Sequence, residues 1–125
     1  MKNLITIILL VTVIGLLHAY KPDGALVKLS NASKEDFLQI TGRIGEKELI
    51  FSDLKAGKST PFINMGKTFL TGYFKIITST DTLEYFPSSE EIISQKEYDK
   101  GRFVIELSIK IKENKRLLDL KSYRK

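Results

Sequence analysis

The stretch GRFVIELSIKIK, Gly101 to Lys112, is the most regularly alternating part of the 125-residue chain. Phe103, Ile105, Leu107, Ile109 and Ile111 fall on one side of an extended backbone. Glu106, Ser108, Lys110 and Lys112 fall on the other, with Val104 alone out of class. This is the pattern of a half-buried β-strand. At about 3.3 Å per residue it spans roughly 36 Å, the full length of a small domain. Such a strand needs paired neighbours and an opposing layer, and most of the preceding eighty or so residues read as short strands able to supply them.

Working outward, Ala25, Val27 and Leu29 alternate with Lys28 and Ser30 as a first strand, which the turn Asn31-Ala32-Ser33 ends. Asn31-Ala32-Ser33 also fits the glycosylation sequon, but the turn is the preferred reading. Phe37 to Ile44 and Lys47 to Leu54 form a hairpin through Ile44 to Glu46. Gly57-Lys58-Ser59 invites a phosphate-loop reading and fails it. Ser52 stands where the first loop glycine belongs, and Pro61 blocks the helix that must follow. A strand is expected over residues 60–65. Residues 69–78, apolar on both faces, read as a central strand that turns through Ser79-Thr80-Asp81 into residues 82–86 and stops at Pro87. Ser88 and Glu91 have capping-box spacing, yet an irregular loop over residues 88–100 is preferred to a helical turn. After Gly101 to Lys112, Glu113-Asn114-Lys115 makes a turn and residues 116–123 return as a last strand, with a helix as the weaker alternative. The fold expected is all-β: a single antiparallel β-sandwich of about seven to nine strands after an N-terminal apolar helix.

Leu4 to Leu17 carries no charge and is mostly Leu, Ile and Val, with Lys2 before it. A helix of that length is about 21 Å long, short of the roughly 30 Å hydrocarbon core but suited to a secretory leader. Ala19 offers a cleavage site before Tyr20. Residues 1–19 are therefore read as a signal peptide, with an uncleaved membrane anchor over residues 4–20 as the alternative. Residues 20–24 are a tether, and residues 25–125 are the domain, exported to the periplasm or cell envelope.

Composition narrows the chemistry. The chain has no cysteine, and His18, its only histidine, lies in the leader. The mature domain thus lacks the groups for Ser-His-Asp or Cys-His catalysis and for most transition-metal sites. No catalytic, metal or cofactor residue is assigned. A carboxylate pair for a carbohydrate-acting hydrolase could be assembled from Glu84 with Glu90, Glu91, Glu97 or Asp99, and a calcium site from Glu90, Glu91 and Asp99, but no spacing singles them out.

Charge says more. Removing residues 1–19 takes away Lys2 alone, leaving 19 of the 20 basic residues against 15 acidic ones, net +4. Residues 110–125 hold Lys110, Lys112, Lys115, Arg116, Lys121, Arg124 and Lys125 against Glu113 and Asp119, a local +5. Such a patch suits an anionic lipid surface or an acidic glycan, although lysines that keep a sheet edge soluble explain it more simply. Nucleic acid is not expected as a partner, because Tyr73, Tyr85 and Tyr98 do not interleave with the basic groups.

The order of features resembles a broad set of small, exported, functionally uncharacterised β-sandwich proteins of Gram-negative bacteria. The segments that carry it are Val27-Lys28-Leu29-Ser30-Asn31-Ala32-Ser33, Phe51-Ser52-Asp53-Leu54-Lys55-Ala56-Gly57-Lys58-Ser59 and Lys100-Gly101-Arg102-Phe103, within residues 25–112. After Pro87, where those proteins carry an Asp-Tyr-Val-Gly-Glu-like stretch, this chain has Ser88-Ser89-Glu90-Glu91-Ile92. The resemblance implies an immunoglobulin-like or transthyretin-like sandwich and export. It implies no activity and transfers no site.

The function expected is a non-enzymatic binding or interaction module whose ligand is an envelope protein, a glycan or an anionic lipid surface. A small carboxylate-dependent hydrolase and a structural envelope component that self-associates through an edge strand are the alternatives. The surface expected to carry the interaction is the segment of residues 88–100 with the end of the last strand, specifically Ser88, Glu90, Glu91, Tyr98, Lys121, Tyr123 and Arg124.

Overall fold

Alternation of apolar and polar side chains is realised as burial in the computed structural model, which describes residues 24–125. The expected leader of residues 1–19, with its cleavage or anchoring, and the tether up to Asp23 lie outside the described residues. Among the described residues no helix is long and apolar enough to cross a membrane. The elements are β1 (Ala25–Asn31), β2 (Phe37–Ile44), β3 (Lys47–Leu54), β4 (Ile63–Gly66), β5 (Tyr73–Ile77), β6 (Thr82–Tyr85), α1 (Ser89–Ser94), β7 (Gly101–Lys112) and β8 (Lys115–Arg124).

The eight strands form two four-stranded sheets, ordered β4-β1-β7-β8 and β3-β2-β5-β6. Val27, Leu29, Phe103, Ile105 and Leu107 of the first share one apolar cluster with Phe37, Ile40, Phe74, Ile76 and Leu83 of the second. Burial of each large side chain in it contributes about 1.5–3 kcal/mol. The chain is all-β as expected, but its sheets are not wholly antiparallel, because β1 runs parallel to β7 from Ala25↔Gly101 to Asn31↔Leu107. A parallel pair cannot close through a tight turn, so β2 to β6 form the long connection between its two strands.

β7 keeps the predicted faces, with two departures. Val104 is 1% exposed although it faces away from the core, and Ile111 is 76% exposed because the strand outruns the apolar layer. The hairpin into β8 turns at Glu113 and Asn114, both at positive φ (53° and 62°), the type I′ geometry of a two-residue loop.

Three other expectations change. The strand expected over residues 60–65 begins only at Ile63; before it the Thr60 hydroxyl, not a main-chain carbonyl, accepts from the Leu29 N–H at 3.0 Å, and the ladder is reduced to a single bridge between Ser30 and Ser59. The strand expected over residues 69–78 shrinks to β5. Thr68 turns away to exchange two 2.8 Å backbone bonds with Tyr98. Gly72 passes so close to β2 that any Cβ would collide with the Arg43 carbonyl oxygen. The irregular loop preferred for residues 88–100 gives way to α1, whose capping box forms in full between Ser88 and Glu91.

The turn after β1 is built around a buried side chain. Asn31 is 0% exposed. Its Nδ2 donates to the carbonyls of Glu35 (2.8 Å) and Leu54 (3.0 Å), and its Oδ1 accepts from the Ser33 N–H (3.0 Å) and hydroxyl (2.7 Å). One amide thus ties the end of β1 to the start of β2 and the end of β3. With Nδ2 so engaged, the sequon is not open to modification in the folded chain. Replacing Asn31→Ala leaves those carbonyls without a donor and is expected to cost about 2–4 kcal/mol in urea unfolding. Asn31→Asp, which cannot donate to them, should behave alike. A loss below about 0.5 kcal/mol in either variant would show that this cap carries no such weight.

Candidate functional site

The segment between β6 and β7 begins with Pro87, which ends pairing, and with Ser88 as helix cap. The Ser88 hydroxyl accepts from the Glu91 N–H at 3.1 Å, and Glu91 Oε1 accepts from the Ser88 N–H at 3.3 Å. No residue of α1 is buried, so polar contacts must seat it. Glu91 supplies them: its Oε2 accepts from the Tyr85 hydroxyl at 2.6 Å and from the Thr71 hydroxyl at 3.2 Å. The helix is thereby fastened to β6 and to the chain entering β5.

Beyond α1 the chain is pinned again at Tyr98 by its backbone bonds to Thr68. The Tyr98 ring is half-buried. It lies against Phe103 with ring centroids 4.6 Å apart and planes inclined at 49°. The Arg124 guanidinium stands 5.2 Å from the Phe103 ring and 6.0 Å from the Tyr98 ring, and the Lys96 ammonium 5.4 Å from the Tyr98 ring. Gly101, at φ +105°, makes room for this arrangement, since a Cβ there would come within 3.0 Å of Arg124 Nη2.

Residues 96–100 and the end of β8 enclose a hollow of about 550 Å³. Leu70, Tyr98 and Phe103 form its apolar part, Lys96, Lys100 and Arg124 its basic part, and Glu97 and Asp99 its acidic part, with Ser122 and Tyr123 along β8. A second hollow of about 230 Å³ shares Leu70, Lys96, Tyr98 and Ser122 with the first and adds Thr71, Glu91, Ser94 and Gln95. The two make one cleft.

Of the residues expected to form the interaction surface, the structure brings Tyr98, Tyr123 and Arg124 to the larger hollow and Glu91 to the smaller. Ser88 caps the far end of α1 and Glu90 lies exposed in its first turn, and neither lines the cleft. Lys121 lies on the outer face of its sheet, in register with Glu106. Leu70, Thr71, Phe103 and Ser122 of the cleft lie outside the surface expected from the sequence. The inward parity of Ser122 with Leu118 and Leu120 was available in the alternation of β8. The approach of residues 68–71 to Tyr98 and Glu91 had no local signal.

Glu84 and Glu91 lie on opposite sides of the sheet that contains β6. Glu84 accepts from the Tyr73 hydroxyl at 2.7 Å on the outer face, while its neighbour Tyr85 points inward to Glu91. Tyr85, foremost, with the Ser88 and Thr71 contacts, holds the Glu91 carboxyl below the usual range against the effect of burial. Burial and then Glu91 push the Tyr85 phenol up to about 12. Among the described residues, no three acidic or histidine side chains are grouped so as to hold a metal ion.

A carboxyl whose pKa is depressed on folding stabilises the fold fully above its unfolded value, about 4.3 for Glu, and loses that contribution as pH falls through the folded value. Glu91→Gln is therefore expected to flatten the acid side of the stability profile, measured as the urea midpoint from about pH 6 to pH 2. An acid side identical to that of the unaltered chain would show that Glu91 does not seat α1 as a charged group. The chain matches no protein-family model, no curated protein and no solved structure, so its cleft is interpreted from its own residues.

Proposed function

We propose that the chain is an exported or envelope-associated, non-enzymatic binding module. In this reading its two sheets make a β-sandwich of the immunoglobulin-like or transthyretin-like kind, and its ligand is a segment of a partner protein received in the cleft beside Tyr98. The observation that carries this reading is the larger hollow itself. Its size falls in the range of small-ligand and side-chain pockets, roughly 300–1,000 Å³. Its apolar wall is a tyrosine pinned through its backbone, an arginine lies across that wall, and carboxylates and ammonium groups alternate along the rim. An aromatic and arginine centre, here the half-buried Tyr98 and buried Phe103 with Arg124 over them, inside a polar rim of both charges resembles the anatomy of protein–protein hot spots. Bulk apolar area is small, so affinity would come from filling the Tyr98–Arg124 pocket.

The hydrolase alternative fares worse on a specific point. Its general acid must stay protonated near neutral pH, with a raised pKa, whereas Glu91 is shifted the opposite way and Glu84 faces the other side of the sheet.

The test uses the full chain in its native cell envelope, with a photo-crosslinking amino acid placed in turn at Lys96, at Tyr123 and, as a control, at Ile50. Ile50 is 57% exposed on β3, outside the cleft lining. One discrete protein adduct from both cleft positions and none from Ile50 is expected, and Arg124→Ala should reduce its yield about tenfold, a hot-spot loss. No adduct from the cleft, or the same adducts from all three positions, would overturn the proposal.

A further inference from the structure

On the outer face of the β4-β1-β7-β8 sheet, a second group of side chains converges that the cleft does not include. The Phe62 ring, on the segment entering β4, has the Lys28 ammonium at 5.2 Å, the Arg102 guanidinium at 5.6 Å and the Lys125 ammonium at 5.8 Å from its centroid. These cations come from β1, from β7 and from the residue after β8, so the sheet assembles them from three distant parts of the sequence. Lys125 is held in place by its N–H bond to the Arg102 carbonyl, 2.9 Å. Val104, in register with Lys28, is buried although it is outside the core cluster. Side chains gathered over this face must therefore cover it.

Three cations around one ring repel one another, and among the described residues none of them forms an ion pair with a carboxylate. Two basic side chains of the β7–β8 hairpin are by contrast paired with carboxylates, Arg116 with Glu35 and Asp81 and Lys110 with Asp119. The Lys125 ammonium beside it, together with burial, holds Lys28 below the ordinary lysine value. An arriving anion would relieve that repulsion. A tetrahedral phosphate offers oxygens in several directions and can accept from three donors converging from three strands. A planar carboxylate offers two oxygens and suits a single arginine fork.

The geometry points to this cluster as a binding site for a phosphate-bearing anion, bridged by Lys28, Arg102 and Lys125 beside the Phe62 ring. Phosphate of this kind comes either free or as the headgroup of an anionic lipid. Arg102 and Lys125 are exposed on this face, and so both sources can reach the site.

The experiment follows backbone amide NMR shifts of the full chain in maltoside micelles. It is titrated separately with inorganic phosphate, with dihexanoylphosphatidylglycerol and with zwitterionic dihexanoylphosphatidylcholine. Saturable shifts centred on Lys28, Arg102 and Lys125 are expected. The triple change Lys28→Gln, Arg102→Gln and Lys125→Gln should weaken the response about a hundredfold, as for three basic groups near an anionic surface. Lys112→Gln with Lys115→Gln, at the far end of the same strands, should leave it unchanged. Saturation with inorganic phosphate identifies a free phosphate ligand, and saturation with phosphatidylglycerol alone identifies a lipid headgroup. No saturable shift with either, an equal response to the phosphatidylcholine control, or equal weakening by both sets of substitutions would overturn the assignment.

Discussion

The parallel ladder between β1 and β7 is the constraint on which the other elements depend. It aligns Ala25 with Gly101 and Asn31 with Leu107, residues 76 positions apart in the chain. Val27, Leu29, Phe103, Ile105 and Leu107 lie along it at 0–1% exposure. Because the strands run the same way, the chain must travel back along the molecule before β7 can begin, and that return is where the second sheet is made. The second sheet is assembled locally, from the β2–β3 and β5–β6 hairpins, and joined by β2 against β5. The first cannot form until both ends of the chain are present. A topology dominated by such distant pairs folds slowly for its size, with the loop-closure entropy spent before the ladder forms.

Two polar devices close the end of the molecule at which β1 finishes and the apolar cluster runs out. Asn31 gathers three chain segments there through a single amide, one bond of which goes to the Glu35 carbonyl. At the same end β8 brings Arg116 inward, in register with Ile111, where the apolar layer has already run out. Its guanidinium grips Glu35 at 2.6 and 2.9 Å and Asp81 at 2.9 and 3.2 Å, tying β8 to the approach to β2 and the turn before β6. Arg116, foremost, and Thr78 hold Asp81 below the ordinary carboxylate value. A fork that engages two carboxylates fixes direction as well as distance, which an apolar contact at an exposed edge cannot do. The charge density that made residues 110–125 look like a docking patch is thus partly internal. Arg116 closes the fold and Lys110 pairs with Asp119 at 2.8 Å on the sheet surface.

What the sequence made legible was whatever has period two. The boundaries of β2, β3 and β7 and the existence of both late hairpins follow from alternation and turn residues, because each strand half-buries one face and registers that fact in every second residue. The direction of β1 relative to β7 was not legible, since parallel and antiparallel neighbours bury the same face. Nor were the ends of β5, where the apolar run of residues 69–77 continues past the point at which Thr68 and Gly72 steer the backbone elsewhere. The capping box at Ser88 and Glu91 was visible, but its competitor, a loop, could be judged only from contacts that Glu91 makes with Tyr85 and Thr71. The cleft was half legible. Tyr98, Tyr123 and Arg124 stood out by residue type and position, while Leu70 and Thr71 reach it through pairings twenty to thirty residues long.

The same ladder also decides where binding chemistry can gather. Parallel pairing sets the beginnings of β1 and β7 side by side, and antiparallel β8 brings its last residues back to that end, Phe103 facing Arg124. The segment of residues 95–100 has to arrive there too, because it feeds β7. Three stretches far apart in sequence therefore meet at one end of one sheet, with Tyr98, Phe103 and Arg124 on its inner side and Lys28, Arg102 and Lys125, beside Phe62 from the segment entering β4, on its outer side. Neither group could exist in any one of those stretches alone. At the opposite end, the β7–β8 hairpin extends past the core with Ile111 uncovered, and Arg116, paired with it, ties the hairpin to Glu35 and Asp81. The polarity of the molecule, one end furnished with aromatic and basic side chains and the other closed by the Asn31 amide and the Arg116 ion pairs, is thus a direct result of strand direction.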